Sequence, residues 1–264
     1  MDYARFLPEH HLDVKREGRV VVVTLTRPES RNAVDHAMHL GLEQLWRPLG
    51  TDPDVGAIVL TGAGSAFCAG GDIGGFGGPD IGPIDQLRGV RYLVQEIVGC
   101  EAPLIAAVNG PASGLGATLA LLCDVIYMAD SARIGDTHVK MGMVAGDGGA
   151  VIWPALIGPH RAKELLMSGR MISGPEAAAM GLVNHCVPAD SLMDTALEYA
   201  RELAAGPQVA IRWTKMAINR LLKQNLEQVL DFGVAAEHLS IQTEDCREAM
   251  TAFVEKRKPA FKGR

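Results

Sequence analysis

PLIAAVNGPASGLGATLALLCDVIYMADSARIG, residues Pro103 to Gly135, carries the reading that decides the fold. Leu104–Val108 is a short apolar run, long enough for a buried strand and too short for a helix. Asn109 to Gly116 follows as a Gly-rich turn, then an apolar stretch of helical spacing through Leu122, then a second strand-like run, Val125–Ala129. Upstream, Ala57–Thr61 leads into a Gly-rich loop and a helix predicted around Ile84 to Val98. Residues 12–27 alternate about Glu17-Gly18 as a hairpin, and residues 33–49 have helical spacing behind Asn32 as N-cap. Buried strands alternating with helices predict an α/β core, with the strand-end loops presenting the chemistry. From Val187 onward the pattern is helical only: Leu192–Ala204, Val209–Leu222, Leu226–His238 and Thr243–Lys256, interrupted at Gly206-Pro207 and at Asn225. The expected division is a catalytic core over 1–190 and a helical subdomain over 191–264.

Composition narrows the function classes. The 264 residues are 48% hydrophobic and 21% charged, with a net charge of -6, which suits a packed globular protein. That balance argues against a nucleic-acid surface, which needs a basic patch. No apolar run is long enough to span a bilayer, and the N-terminus lacks the order of a signal peptide. Cys68, Cys100, Cys123, Cys186 and Cys246 have neither paired nor metal-ligand spacing, so reduced thiols in the cytoplasm are expected.

Two loops hold the candidate chemistry: Ser65 to Gly78, SAFCAGGDIGGFGG, and Asn109 to Gly116, NGPASGLG. Glycine allows close backbone approach, so a strand-to-helix turn of this kind can aim N–H groups at a ligand oxygen. Neither loop matches a nucleotide-binding fingerprint.

RPESRNAVD (Arg27 to Asp35), GAIVLTGAGSAFCAGGDI (Gly56 to Ile73) and the opening stretch resemble the enoyl-CoA hydratase/isomerase, or crotonase, superfamily. The likeness continues through Gly158–Pro188 and Thr243–Gly263. It implies a crotonase-like α/β spiral of ββα repeats with a C-terminal helical trimerisation region, assembled as a homotrimer or dimer of trimers. It also implies an acyl-CoA substrate whose thioester carbonyl lies between the N–H groups of Gly71 and Leu115. Fixed donors at a developing oxyanion are worth a few kcal/mol each. CoA-contacting positions carried over are Arg31, Ala33, Ala69, Gly70, Asp72, Ile73, Gly114, Thr118 and Lys256. The basic tail is then either a solvated appendage or a phosphate contact. Beyond the substrate's CoA, no cofactor and no metal is implied.

The family's hydratases carry two glutamates that hold and activate water. Here those positions are Thr118 and His138. Their replacement is the pair His138 and Asp147: a histidine titrates near neutrality and a carboxylate orients it. THVKMGMVAGDGGAVIWPALIG also resembles the 6-oxocamphor hydrolase branch, which cleaves a carbon–carbon bond in a cyclic β-diketone without CoA. Three readings stay open: an acyl-CoA lyase or isomerase, a CoA-independent β-diketone hydrolase, and a catalytically weakened acyl-CoA-binding scaffold. Lesser candidates read more blandly: Asp136 as a strand-end cap, Asp147 as a helix cap, Cys68 as a packed thiol, and His36 with His39 as a surface face lacking a Glu. Residues 74–90 are expected to form a mobile pocket wall.

Overall fold

The computed structural model describes residues 9–72 and 83–264. Ile73 and most of the Gly/Pro-rich wall lie outside the described residues.

The hairpin comes first, as β1 (Leu12–Glu17) and β2 (Val20–Leu25), paired antiparallel with Gly18 at φ 63° in the turn. Positive φ suits glycine there, because a side chain would meet its own backbone. Helix α1 (His36–Thr51) leads to β3 (Ala57–Gly62), and α2 (Pro83–Gly99) to β4 (Leu104–Val108). Then follow β5 (Ala112–Ser113), α3 (Leu115–Leu121), β6 (Val125–Ala129) and β7 (Arg133–Gly135). After a 3-10 turn over His138–Met141 come α4 (Gly149–Ile157), α5 (Pro159–Ser168), β8 (Ile172–Ser173), α6 (Gly174–Ala179) and β9 (His185–Val187). The chain closes with α7 (Leu192–Ala205), α8 (Gln208–Ile241) and α9 (Glu244–Val254).

The main sheet has the order β1-β2-β3-β4-β6-β9, parallel from β2 onward; β5, β7 and β8 form a second, small sheet. Every residue of β3 and β4 is buried, as expected of parallel strands covered on both faces. Trp46, Phe67 and Trp153 are fully enclosed in the core. Among the described residues, no helix is long and apolar enough to cross a membrane.

Two local expectations are corrected. Asn32 does not cap α1. It sits buried at φ 55°, its amide donating to the carbonyls of Ala63 and Ala66 at 2.9 Å, while Asp35 caps the helix by accepting from the Met38 N–H. Asn225 does not break the C-terminal region either: α8 runs unbroken through it. Asparagine lowers helix propensity by only about 0.7 kcal/mol, and Leu226, Leu230 and Val234 bury a stripe that holds the helix together.

α8 is anchored twice to the core. The Arg212 guanidinium donates to the carbonyls of Gly50, Asp52 and Val55, and Lys215 Nζ lies 2.7 Å from Asp124 Oδ2 and 2.8 Å from the Ala102 carbonyl. Farther along, Gly146 and Gly233 meet without side chains between them: a Cβ on Gly146 would lie 2.2 Å from the Gly233 carbonyl oxygen. That contact seats α8 against the loop bearing Asp147.

Candidate active site

The segment after β2 docks onto the first Gly-rich loop. Val34 donates to the Gly70 carbonyl at 2.8 Å and accepts from the Asp72 N–H at 2.9 Å. In this one-residue parallel bridge the N–H of the intervening Gly71 is turned away from Val34. Arg27 ties the two segments together, its Nη1 lying 2.9 Å from Asp72 Oδ2 and its Nε 3.3 Å from Asp35 Oδ2.

Leu115 opens α3, so its N–H has no partner within the helix. Among the described residues, neither Gly71 nor Leu115 donates its N–H to another backbone group. The two loops touch: a Cβ on Gly70, at φ 101°, would lie 2.8 Å from the Ser113 carbonyl oxygen and 3.8 Å from the Leu115 nitrogen. Only a glycine lets these segments approach so closely.

Eight of the catalytic and CoA-contacting residues expected from the sequence line one cavity of about 370 Å³, together with the lesser candidates His36 and His39: Ala69, Gly70, Gly71 and Asp72 from the first loop, Gly114 and Leu115 from the second, and His138 and Asp147. Four others stand elsewhere. Arg31 is exposed and its carbonyl receives the Ala69 N–H; the Ala33 carbonyl receives Arg27; Lys256 is exposed beyond α9. Thr118 is fully buried, and its hydroxyl donates to Asp147 Oδ1 at 3.0 Å. Its place is beneath the carboxylate.

His138 stands at the centre of three buried carboxylates. Its Nδ1 is 2.7 Å from Asp136 Oδ1, and that same oxygen receives the His138 backbone N–H. Its Nε2 is 3.4 Å from Asp147 Oδ2 and 3.9 Å from Glu237 Oε1. The ring lies along Gly114, where a Cβ would be 3.4 Å from His138 Cε1. The imidazole therefore abuts the residue just before Leu115.

Burial by itself would favour the neutral imidazole. The charges of Asp147 and Asp136, the hydrogen bond to Asp136 and the charge of Glu237 outweigh it, and the pKa of His138 is raised well above its ordinary value. The three carboxylates thus favour the imidazolium over the neutral ring. One cation cannot compensate three buried carboxylates, and the excess shows in the proton affinities of Asp147 and Glu237. Burial raises Asp147 despite the attraction of His138. Burial, with Asp147 and Asp136 adding to it against His138, pushes Glu237 up to about 8. Asp136, His138 and Asp147 each bring one donor atom within 4.8 Å of the others, a spacing that suits a cation as well as a proton relay. The 2.7 Å contact at Nδ1 is a hydrogen bond, which keeps that nitrogen from an ion.

Sequence reasoning missed two members of this cluster. Asp136 binds the His138 backbone N–H in a local turn, as a cap would, and also orients its ring. The i, i+2 spacing in Asp136-Thr137-His138 was the available signal. Glu237 is nearly a hundred residues from His138, with no local motif. Its one signal is that it continues the buried stripe Leu226, Leu230, Gly233 and Val234 at helical spacing. Asp147 precedes Gly148, the N-cap residue of α4, and its carboxyl accepts from the backbone N–H of Gly149, so it serves the helix start as well as facing His138. His39, expected on an outer face without a Glu, lines the cavity and contacts Glu43 at 2.7 Å. Cys68 is a packed thiol whose pKa burial pushes up to about 12.

The model of the enoyl-CoA hydratase/isomerase family matches residues 15–264. A probable enoyl-CoA hydratase of Mycobacterium bovis is 36% identical over 94% of this chain and 96% of its own length. A short-chain-enoyl-CoA hydratase of Clostridium acetobutylicum is 35% identical over 95% of this chain and 97% of its own. The crystal structure of an enoyl-CoA hydratase/isomerase from Mycobacterium paratuberculosis superposes with a TM-score of 0.87 at 39% identity, covering 92% of this chain and 98% of that one. With a matching fold and matches that run nearly end to end, the chain belongs to the enoyl-CoA hydratase/isomerase family.

Proposed function

We propose that this acyl-CoA enzyme binds its thioester carbonyl between the N–H groups of Gly71 and Leu115, and that His138 and Asp147 move the protons of a reaction passing through a thioester enolate. The observation that carries the reading is the position of His138: buried among carboxylates that favour its charged form, against Gly114 and 3.4 Å from Asp147. An imidazolium is an acid, so the base of the pair is the Asp147 carboxylate. In water addition, Asp147 accepts a proton from water as the oxygen bonds to the β-carbon. The double-bond electrons pass to the thioester oxygen, where the two N–H groups meet the charge. His138 then delivers its Nε2 proton to the α-carbon, and the Asp147 proton returns to Nε2 across the short gap. In isomerisation the same two groups remove and return a carbon-bound proton.

Of the residues carried over for CoA, Ala69, Gly70, Asp72 and Gly114 line the cavity that holds His138 and Asp147. Arg31, Ala33 and Lys256 are assigned to the nucleotide end, and Thr118 is assigned to holding Asp147. CoA arrives with the substrate, and no metal or redox group takes part. The protein acts in the cytoplasm, a setting that suits its five free cysteines, as a trimer or a dimer of trimers.

The test combines calorimetry with acetoacetyl-CoA and assays of crotonyl-CoA hydration in H138A and D147N. Binding is expected, with hydration falling about 10²- to 10⁴-fold in each variant. Absence of binding removes the acyl-CoA reading, and full activity in both variants removes the pair. A charged histidine flanked by carboxylates also suits water attack on a ketone, so cleavage of a cyclic β-diketone without CoA is assayed in parallel. Binding without turnover of either substrate would mark a scaffold.

A further inference from the structure

Three buried carboxylates around one imidazole leave atoms that the hydrogen bonds of the cluster do not use. Asp136 holds His138 Nδ1 at 2.7 Å, and Thr118 holds Asp147 at Oδ1. Asp147 Oδ2 and Glu237 Oε2 are buried with no hydrogen-bond partner among the described residues. His138 Nε2 stands 3.4 Å from Asp147 Oδ2 and 3.9 Å from Glu237 Oε1, and neither contact is a hydrogen bond. All three residues face the one cavity.

A buried acceptor without a donor is costly to leave so, and oxygens of this kind call for a positively charged ligand. Their spacing is that of metal ligands. Tetrahedral ligands on bonds of about 2.0–2.1 Å lie about 3.4 Å apart, so Nε2 and Asp147 Oδ2 already stand at that distance, and Glu237 Oε1 has to move in by about 0.5 Å. The supporting contacts fit as well. Asp136 accepting from Nδ1–H leaves the Nε2 lone pair for an ion, and Thr118 turns Oδ2 of Asp147 toward it, as outer-shell partners do at metal centres. One imidazole and two carboxylates suit zinc and leave a fourth position open to the cavity, whereas magnesium and calcium favour shells of oxygen alone.

We propose that His138 Nε2, Asp147 Oδ2 and Glu237 Oε1 form a site for a divalent transition-metal ion, zinc by the donor set, and that the bound ion shuts off the proton chemistry of the cavity. The ion replaces the Nε2 proton, which passes to solvent, and covers the carboxylate oxygen facing it. It is a reversible inhibitor and no participant in the reaction. The site stands on this geometry alone; the shutdown rests on the proposed roles of His138 and Asp147.

Calorimetry with zinc chloride in excess magnesium tests the site, on the chelator-treated chain and on H138A, E237Q and H36A/H39A. The last removes the other two histidines that line the cavity. One zinc ion per chain is expected. Its affinity should fall at least 10- to 100-fold in H138A and in E237Q, since even an outer-shell partner is worth about that much, and should hold in H36A/H39A. E237Q carries the test should H138A fail to fold. No saturable binding, affinity that survives both H138A and E237Q, or affinity lost in H36A/H39A overturns the site. Stoichiometric zinc should also lower crotonyl-CoA hydration at least tenfold, with a chelator restoring it; undiminished hydration with zinc bound overturns the shutdown. A zinc-free enzyme that hydrates nothing counts against the proton chemistry and the shutdown together, while calorimetry still decides the site.

Discussion

Glu237 shows how one residue ties stability to the chemistry of the site. Its carboxyl is raised from 4.5 to about 8, first by burial and then by Asp147 and Asp136, with His138 opposing. The folded state therefore binds this proton more tightly than the unfolded chain. The resulting stabilisation is complete below the ordinary carboxylate range and is lost as pH rises through about 8. Between those limits stability declines with pH, by up to about 1.4 kcal/mol per unit for one proton. His138 is also raised, so its contribution has the same sign and is lost on the alkaline side of its own ordinary value. Gln at 237 stays neutral at every pH. Urea unfolding at pH 5.5 and 7.5 should show the wild type losing stability with rising pH and E237Q losing distinctly less. Equal losses would mean that Glu237 is ionised throughout.

At the scale of elements, much of the fold was legible because short apolar runs and helical spacing report burial directly. β3, β4 and β6 and the Gly-rich turn after β4 were each expected within a residue or two of where they stand. Misreadings arose where long-range contacts decide. Asn32 resembles a cap locally but is pinned by Ala63 and Ala66, and Asn225 resembles a break but lies on a helix held from outside. Glu237 reaches His138 only because α8 is continuous and seated at Gly233. That seating begins with Lys215, whose partner Asp124 also accepts the Leu104 N–H at 2.7 Å and so ties α8 to the start of β4. Burial raises the Asp124 pKa and Lys215 draws it down. Removing one member of a buried pair costs about 3–5 kcal/mol. Asp124 keeps 23% side-chain exposure, which brings the expected loss for K215M to about 2 kcal/mol by urea unfolding. A loss under about 0.5 kcal/mol, typical of surface changes, would show that α8 docks without this pair.

The continuity of α8 also decides what the whole molecule presents to others. Read as two helices, its apolar outer residues have no common face; as one helix, they align. Leu221, Phe232 and Leu239 are 68%, 77% and 66% exposed, and their spacings of 11 and 7 place them within about 20° of one another around the axis. Phe253 and Val254 add exposed apolar surface at the end of α9. Monomeric proteins rarely leave such a stripe in water, and contact with further copies of the chain would cover it. The proposed trimer or dimer of trimers therefore predicts a solution mass near three or six times 28.1 kDa. Glutamates at 232 and 239 would put charge into that contact, where an unpaired charge costs several kcal/mol. Light scattering on F232E/L239E should then give a smaller species with unchanged far-ultraviolet circular dichroism. A monomeric wild type at micromolar concentration, or a double variant of undiminished mass, would show that this stripe is not the assembly face.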